Sequence, residues 1–198
     1  MKASKVFHNF KKDIIVYLAV LLVVPFAINF FVSLKTAYKD NEKFTFFFAT
    51  NQIDNDKFTN SFKSMFEDNG ILTFDYYTAS PKSDVEFYSN LNNRSSVSDI
   101  FIVPEDYFDS GFLGYSCAAF KTLDESSTYN YGTGDDLATY AIKIKDKDEE
   151  PNLHIDFMNY ELDKDYYLML RKNGYHYNKY IKEDNSLLNE VIKYLRNE

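Results

Sequence analysis

The sequence predicts an α/β domain with a mostly parallel sheet, carried behind an N-terminal transmembrane helix. Three observations predict it. Residues Ile14 to Leu34 hold no charged side chain. The chain beyond them opens as strand, helix, strand, helix, strand, and it closes on an amphipathic helix.

The apolar run, IIVYLAVLLVVPFAINFFVSL, comes first. Its 21 residues make a helix of roughly 32 Å, enough for a hydrocarbon core of about 30 Å. Pro25 is tolerated in such a helix, and Asn29 is its most polar member. Lys2, Lys5, Lys11 and Lys12 precede the run, and no acid stands before Asp13; on the far side Lys35 and Lys39 mix with Asp40 and Glu42. That asymmetry keeps the N-terminus in the cytoplasm and sends the remainder out. No small-x-small site closes the run, and Cys117 is the only cysteine, so an uncleaved signal anchor is expected rather than a cleaved leader or a lipid anchor. The expected organisation is a basic cytoplasmic tail over 1–12, the anchor over 13–35, a linker over 36–42 and an extracytoplasmic domain over 43–198, placing the protein in the cell membrane as a single-pass chain.

After residue 39 there are 16 Lys and Arg against 29 Asp and Glu, a net charge of −13. Such a surface repels nucleic acid and anionic headgroups, which makes both poor partners of the domain, and no nucleic acid is expected. One cysteine allows no intrachain disulfide, so the exported part stands on its core. The 17 Tyr and 19 Phe can supply it.

Phe44-Thr-Phe-Phe-Phe-Ala-Thr50 reads as a strand buried on both faces. Over Asp54 to Asn69, the spacing of Phe58, Phe62, Met65 and Phe66 predicts a helix, with Gly70 as its left-handed cap. Ile71 to Thr78 is the second strand. Ser83 and Glu86 have capping-box spacing, and Val85, Tyr88 and Leu91 continue a short helix. Asp99 to Val103 is the third strand. Ala118 to Leu123 and Ala138 to Lys145 read as strands, with Ser126 to Asp136 between them as a loop. Tyr166 to Leu170 is a further buried strand, and Leu187, Leu188, Val191, Ile192 and Leu195 stripe the closing helix.

Helical crossovers of this length imply parallel strands with helices on both sheet faces, a single three-layer domain. In an open sheet of this kind ligands sit at the carboxyl ends of the strands. The candidate ligand-binding residues are therefore Thr50 and Asn51 at the end of the first strand, and Pro104 and Glu105 at the end of the third.

No catalytic constellation accompanies them, and an enzyme is not expected. His154 and Asp156 would share one side of a strand, which an ordinary surface strand also gives. A hydrolase would need His154 or His176 beside an acid in a pocket. Cys117 has no adjacent basic group, and Gly132-Thr-Gly134 is too short for a phosphate loop. Asp135-Asp136 and Asp146 to Glu150 read as solvated acids without calcium-loop spacing, so neither a metal nor a cofactor is expected. Tyr175, Tyr177 and Tyr180 around His176 could form an aromatic platform, but covering the sheet is the simpler reading.

FTFFFAT with its helix, followed by Ser98-Asp-Ile-Phe-Ile-Val-Pro104, resembles the opening lobe of the type 2 solute-binding proteins of ABC transporters. Leu137 to Ile144 resembles the strand by which such chains leave that lobe; Tyr166 to Asn173 and the helix from Asn185 to Arg196 resemble a later return into it. Members have two lobes that close on ligand. Here 159 residues follow residue 39, too few for a second lobe. The resemblance implies one anchored lobe acting as an accessory or sensor subunit beside an ABC transporter permease, or another integral membrane protein, with a small molecule at the strand ends. The alternative is a ligand-free interaction or structural module of a cell-envelope complex.

Overall fold

The computed structural model describes residues 14, 17, 18, 20–28, 38–80, 84–107, 117–118, 128–131, 138–149, 153–183 and 186–197. The chain divides into two compact units, Met1–Lys39 and Asp40–Glu198. In the first, residues 14, 17, 18 and 20–28 are helical, and Leu21, Leu22 and Phe26 stand exposed. Among the described residues no helix is long and apolar enough to cross a membrane. Residues 15, 16, 19 and 29–34 of the predicted span lie outside them.

The second unit runs β1 (Lys43–Phe48), α1 (Asn55–Asp68), β2 (Thr73–Thr78), α2 (Asp84–Arg94), β3 (Ile100–Pro104), β4 (Cys117–Ala118), β5 (Thr128–Tyr131), β6 (Ala138–Lys145), β7 (Tyr166–Arg171), α3 (Tyr175–Tyr180) and α4 (Leu187–Arg196). The strands form one sheet in the order β2-β1-β3-β7-β6-β5, with β4 also on β7.

The predicted βαβαβ opening is present. β1 pairs in parallel with β2 on one side and β3 on the other. Beyond β3 the sheet is mixed rather than parallel. β7 runs antiparallel to β3, to β4 and to β6, and β5 runs antiparallel to β6. Among the described strands five thus share one direction, and β5 and β7 oppose them. The cause lies in the connections: β3 and β7 are joined through β4 to β6 rather than by a single crossover helix, so nothing forces them parallel. β4 and β6 share one edge of β7, since β6 pairs along Tyr166 to Met169 and β4 takes over at Leu170 and Arg171.

Side-chain alternation along the central strands separates two cores. Phe44, Phe46 and Phe48 of β1, Ile100 and Ile102 of β3, and Leu168 and Leu170 of β7 pack with Phe58, Phe62 and Phe66 of α1. All five stripe residues of α4 join them, as their spacing predicts. On the opposite face Phe47, Phe101, Val103 and Met169 meet Phe87 and Leu91 of α2. The domain is therefore three-layered. In α2 the i, i+4 pair Phe87 and Leu91 is buried, Tyr88 packs at its margin, and the predicted capping box at Ser83 lies outside the described residues.

The ends of α1 follow from its sequence. The Asp54 carboxylate accepts the Lys57 N–H as N-cap. At the other end Ile71 N–H donates to Phe66 O at 2.9 Å and Gly70 N–H to Glu67 O at 3.2 Å, the paired bonds of a Schellman motif. Gly70 has φ +73°, and no atom lies within 4 Å of where a Cβ would stand. Alanine there fits the space but not the backbone. Gly70→Ala is expected to cost about 1–2 kcal/mol, read as a lower urea midpoint at an unchanged m-value.

Two local expectations are corrected. Thr128–Tyr131, inside the predicted loop from Ser126 to Asp136, is strand β5; its Thr-Tyr-Asn-Tyr composition suits an outer strand laid on β6. His154 lies in a 3-10 turn, Leu153–Ile155, not in a strand. Its ring stands edge-on to Tyr194 at 4.5 Å, while Asp156 pairs with Lys57 at 2.8 Å. Of the predicted strand Ala118 to Leu123, residues 119–123 lie outside the described residues.

Candidate functional site at the carboxyl end of β1

The strand order reverses at β1, which lies between β2 and β3. In open α/β sheets the crevice beyond such a reversal is where ligands bind. Phe48 pairs with Ile102, and Ala49 N–H donates to Ile102 O at 2.9 Å, so the predicted strand ends do lie side by side.

A pocket of about 260 Å³ opens there. Thr50 and Asn51 line it, together with Gln52 from the same turn and Asn159, Tyr160, Glu161 and Tyr166 from far along the chain. Pro104 and Glu105 do not line it. Pro104 is buried and pairs with Tyr166; Glu105 N–H donates to Asp165 O at 3.2 Å. These two residues anchor the segment that walls the pocket.

That segment, residues 159–165, is held at several points. The Thr50 hydroxyl lies 3.0 Å from Asn159 O and 3.2 Å from Gln52 O, and Glu161 N–H donates to the Tyr166 hydroxyl at 3.1 Å. The buried Lys145 ammonium faces four main-chain carbonyls, those of Asp146, Lys164, Leu162 and Glu161, at 2.9, 3.2, 3.4 and 3.5 Å. Lys164 bridges Asp106 at 2.8 Å and Glu161 at 3.3 Å. Lys143 bridges Asp146 at 2.9 Å and Asp165 at 3.1 Å.

Burial acts to raise the Asp165 carboxyl, but the Lys147 N–H and the Lys143 ammonium outweigh it and hold its pKa below the ordinary value. A lowered carboxyl contributes stability that is complete above the unfolded value, about pH 4, and is lost as pH falls through the folded value. Asp165→Asn is therefore expected to lower the urea midpoint at neutral pH. The gap to the parent protein should close as pH drops below about 4.

The pocket's chemistry is polar and mostly uncharged. Among the described residues no hydrogen bond engages the side-chain amides of Asn51, Gln52 or Asn159, leaving both donors and acceptors at the rim. Among the described residues Glu161 is the only charged one in the lining, and Lys164 pairs with it at 3.3 Å while holding Asp106 at 2.8 Å. Among the described residues the buried Tyr160 hydroxyl has no hydrogen-bond partner, and its ring stands edge-on to Tyr166 at 4.7 Å. Gln52, Asn159, Tyr160, Glu161 and Tyr166 were not foreseen as site residues; Asn159 reaches Thr50 across 109 positions of sequence.

The remaining candidates lie elsewhere. His176 is buried, with Nε2 at 2.8 Å from Lys43 O, a contact that ties α3 to the start of β1. Tyr177 and Tyr180 pack at the margin of the first core, while Tyr175 is exposed. Cys117 is buried 3.6 Å from the Met169 sulfur, and burial pushes its thiol pKa up. Among the described residues no group of three or more His, Cys, Asp or Glu could hold a metal ion. No family model, no curated protein and no solved structure matches the chain.

Proposed function

We propose that this chain is a single-span membrane protein whose extracytoplasmic domain serves as an accessory or sensor subunit of an ABC-type transporter. In this reading the domain is related to one lobe of a type 2 solute-binding protein and takes a small, neutral, polar ligand at the carboxyl end of β1. The observation that carries the reading is the pocket at the strand-order reversal, rimmed by the carboxamides of Asn51, Gln52 and Asn159. The uncharged run from Ile14 to Leu34, with lysines before it, supports the anchor. Affinity purification of the tagged full chain from native membranes in mild detergent tests it. An ATPase and a permease should accompany the chain, and their absence would overturn the transporter role.

A ligand-free interaction module is the second reading. It is favoured by the use of the Thr50 hydroxyl, Pro104 and Glu105 in internal contacts. Asn51→Trp, which fills the pocket, separates the two. Partner recovery that no longer responds to added solutes supports ligand sensing; recovery that never depended on solute supports the module.

A further inference from the structure

β2 ends the sheet: among the described residues only β1 pairs with it. Ala79 N–H donates to Phe48 O at 3.1 Å, which turns the main-chain groups of the odd-numbered residues of β2 toward β1. Phe74, Tyr76 and Thr78 therefore turn theirs outward. The middle outward N–H, that of Tyr76, is bonded by the strand's own side chain, with Asp75 Oδ1 accepting at 2.7 Å. Beside this edge, on the α1 side, lies a groove of about 280 Å³. Phe58, Phe74 and Tyr76 give it an apolar lining, Asn55 and Thr59 come from α1, and Leu72 is 64% exposed.

An edge strand beside a helix-walled apolar groove can accept an extended peptide as an added strand. The main chain of such a peptide bonds the outward groups, and its alternate side chains enter the groove. Charge selects the occupant. Residues 54–78 carry five acids, Asp54, Asp56, Glu67, Asp68 and Asp75, against Lys57 and Lys63, and Lys57 is engaged by Asp156. We infer that the outer edge of β2 docks an extended segment of a partner protein in which basic and apolar residues alternate. The incoming main chain takes the Tyr76 N–H from Asp75, and a basic side chain pairs with the released carboxylate. Until then the Asp75 bond closes the edge against unspecific pairing. A second copy of this chain fits poorly, because two-fold antiparallel pairing of β2 on itself places both Asp75 carboxylates on one face across the seam. The inference stands on this edge alone and does not depend on the pocket at β1 or on the transporter reading.

The test titrates the full chain in mild detergent against fluorescein-labelled acetyl-Lys-Phe-Lys-Val-Lys-Phe-amide, followed by anisotropy. Binding is expected, weakened by salt. It should fall about tenfold or more when glutamate replaces lysine in the peptide, or when its alternate edge-facing amides are N-methylated. Thr78→Pro removes only an outward N–H at an exposed position, a change edge strands tolerate, and should weaken binding to a similar degree at an unchanged Tm. No binding, or equal binding of the N-methylated peptide, overturns the inference. Unaltered binding by Thr78→Pro does the same, and if that variant fails to fold, the N-methylated pair decides alone. A concentration-dependent dimer of the parent chain that Thr78→Pro abolishes would assign the edge to a second copy and likewise overturn it.

Discussion

Replacing Asp99 with alanine is expected to destabilise the domain by about 3–5 kcal/mol, the range for removing one partner of a buried ion pair. Asp99 is 6% exposed. Its Oδ1 meets Arg171 Nη2 at 3.1 Å, and its Oδ2 accepts the Thr45 N–H at 3.0 Å. Its main chain is shared the same way: Asp99 N–H donates to Thr45 O at 2.7 Å, and Arg171 N–H donates to Asp99 O at 3.0 Å. One residue thus pins β1, β3 and β7 in register. Alanine would leave the Thr45 N–H and Arg171 Nη2 unpaired, with only Nη1 still bonded, to Ser96 O at 2.6 Å; among the described residues Arg171 Nε already lacks a partner. Gly174 leaves room for that guanidinium, since a Cβ there would stand 2.8 Å from Nε.

Burial raises the Asp99 pKa and prevails over His176, Arg171 and the Thr45 N–H, which lower it. For a raised carboxyl, stability is lost as pH climbs through the folded value. The alanine penalty should accordingly shrink, not grow, over that climb, and Asp99→Asn should cost less than Asp99→Ala. Urea titrations of the full chain check both. The pair Asp99→Ala with Arg171→Met should cost less than the sum of the singles, because the second change removes the stranded charge. Strict additivity would show that Arg171 is not what makes the loss large.

The same joint marks where the sequence stops being legible. From β1 to β3 each element announces itself. The alternation of Phe44, Phe46 and Phe48 against Phe47 sorts the two cores, the spacing of Phe58, Phe62 and Phe66 gives the face of α1, and Gly70 ends it. β7 was visible as a buried strand, but not its direction. Tyr-Tyr-Leu-Met-Leu is buried on both faces, and a run without polar alternation reads alike in either sense. Its place beside β3 is fixed by Asp99 and Arg171, 72 positions apart and individually ordinary.

The pocket divides in the same way. Thr50 and Asn51 could be placed because the strand-end rule needs only local order and crossover length. The wall from Asn159 to Asp165 could not be. Glu161, Asp163, Lys164 and Asp165 have the composition of a solvated loop, and their ordering comes from lysines on β6 and an aspartate after β3. Lys143 and Lys145 alternate along β6 like any strand, and nothing local says that Lys145 will be buried against four carbonyls. Pro104 does end β3, but antiparallel β7 pairs Tyr166 against it, and Glu105 beyond it stays exposed outside the pocket.

Phe46→Ala should be the costliest truncation in the first core, at about 3–5 kcal/mol. Phe46 is fully buried, and its ring meets those of Phe62, Phe44, Phe58 and Phe48 at 4.8, 5.1, 5.3 and 5.5 Å. Neighbours on a central strand and on α1 cannot collapse into the space without shifting the sheet, so the cavity persists. Against a total of about 5–15 kcal/mol for a domain, this loss brings the fold near its threshold. Phe46→Leu, which keeps most of the volume, should cost about 1–2 kcal/mol. The arrangement of the two cores makes a sharper demand. Phe46 and Phe62 share one cavity, so truncating both should depart from additivity by at least about 0.5 kcal/mol. Phe87 lies across the sheet, against Phe47 at 6.2 Å. Phe46→Ala and Phe87→Ala should therefore add within about 0.5 kcal/mol. Coupling of that second pair as strong as the first would mean that the sheet transmits strain between its faces, and that the two clusters behave as one core.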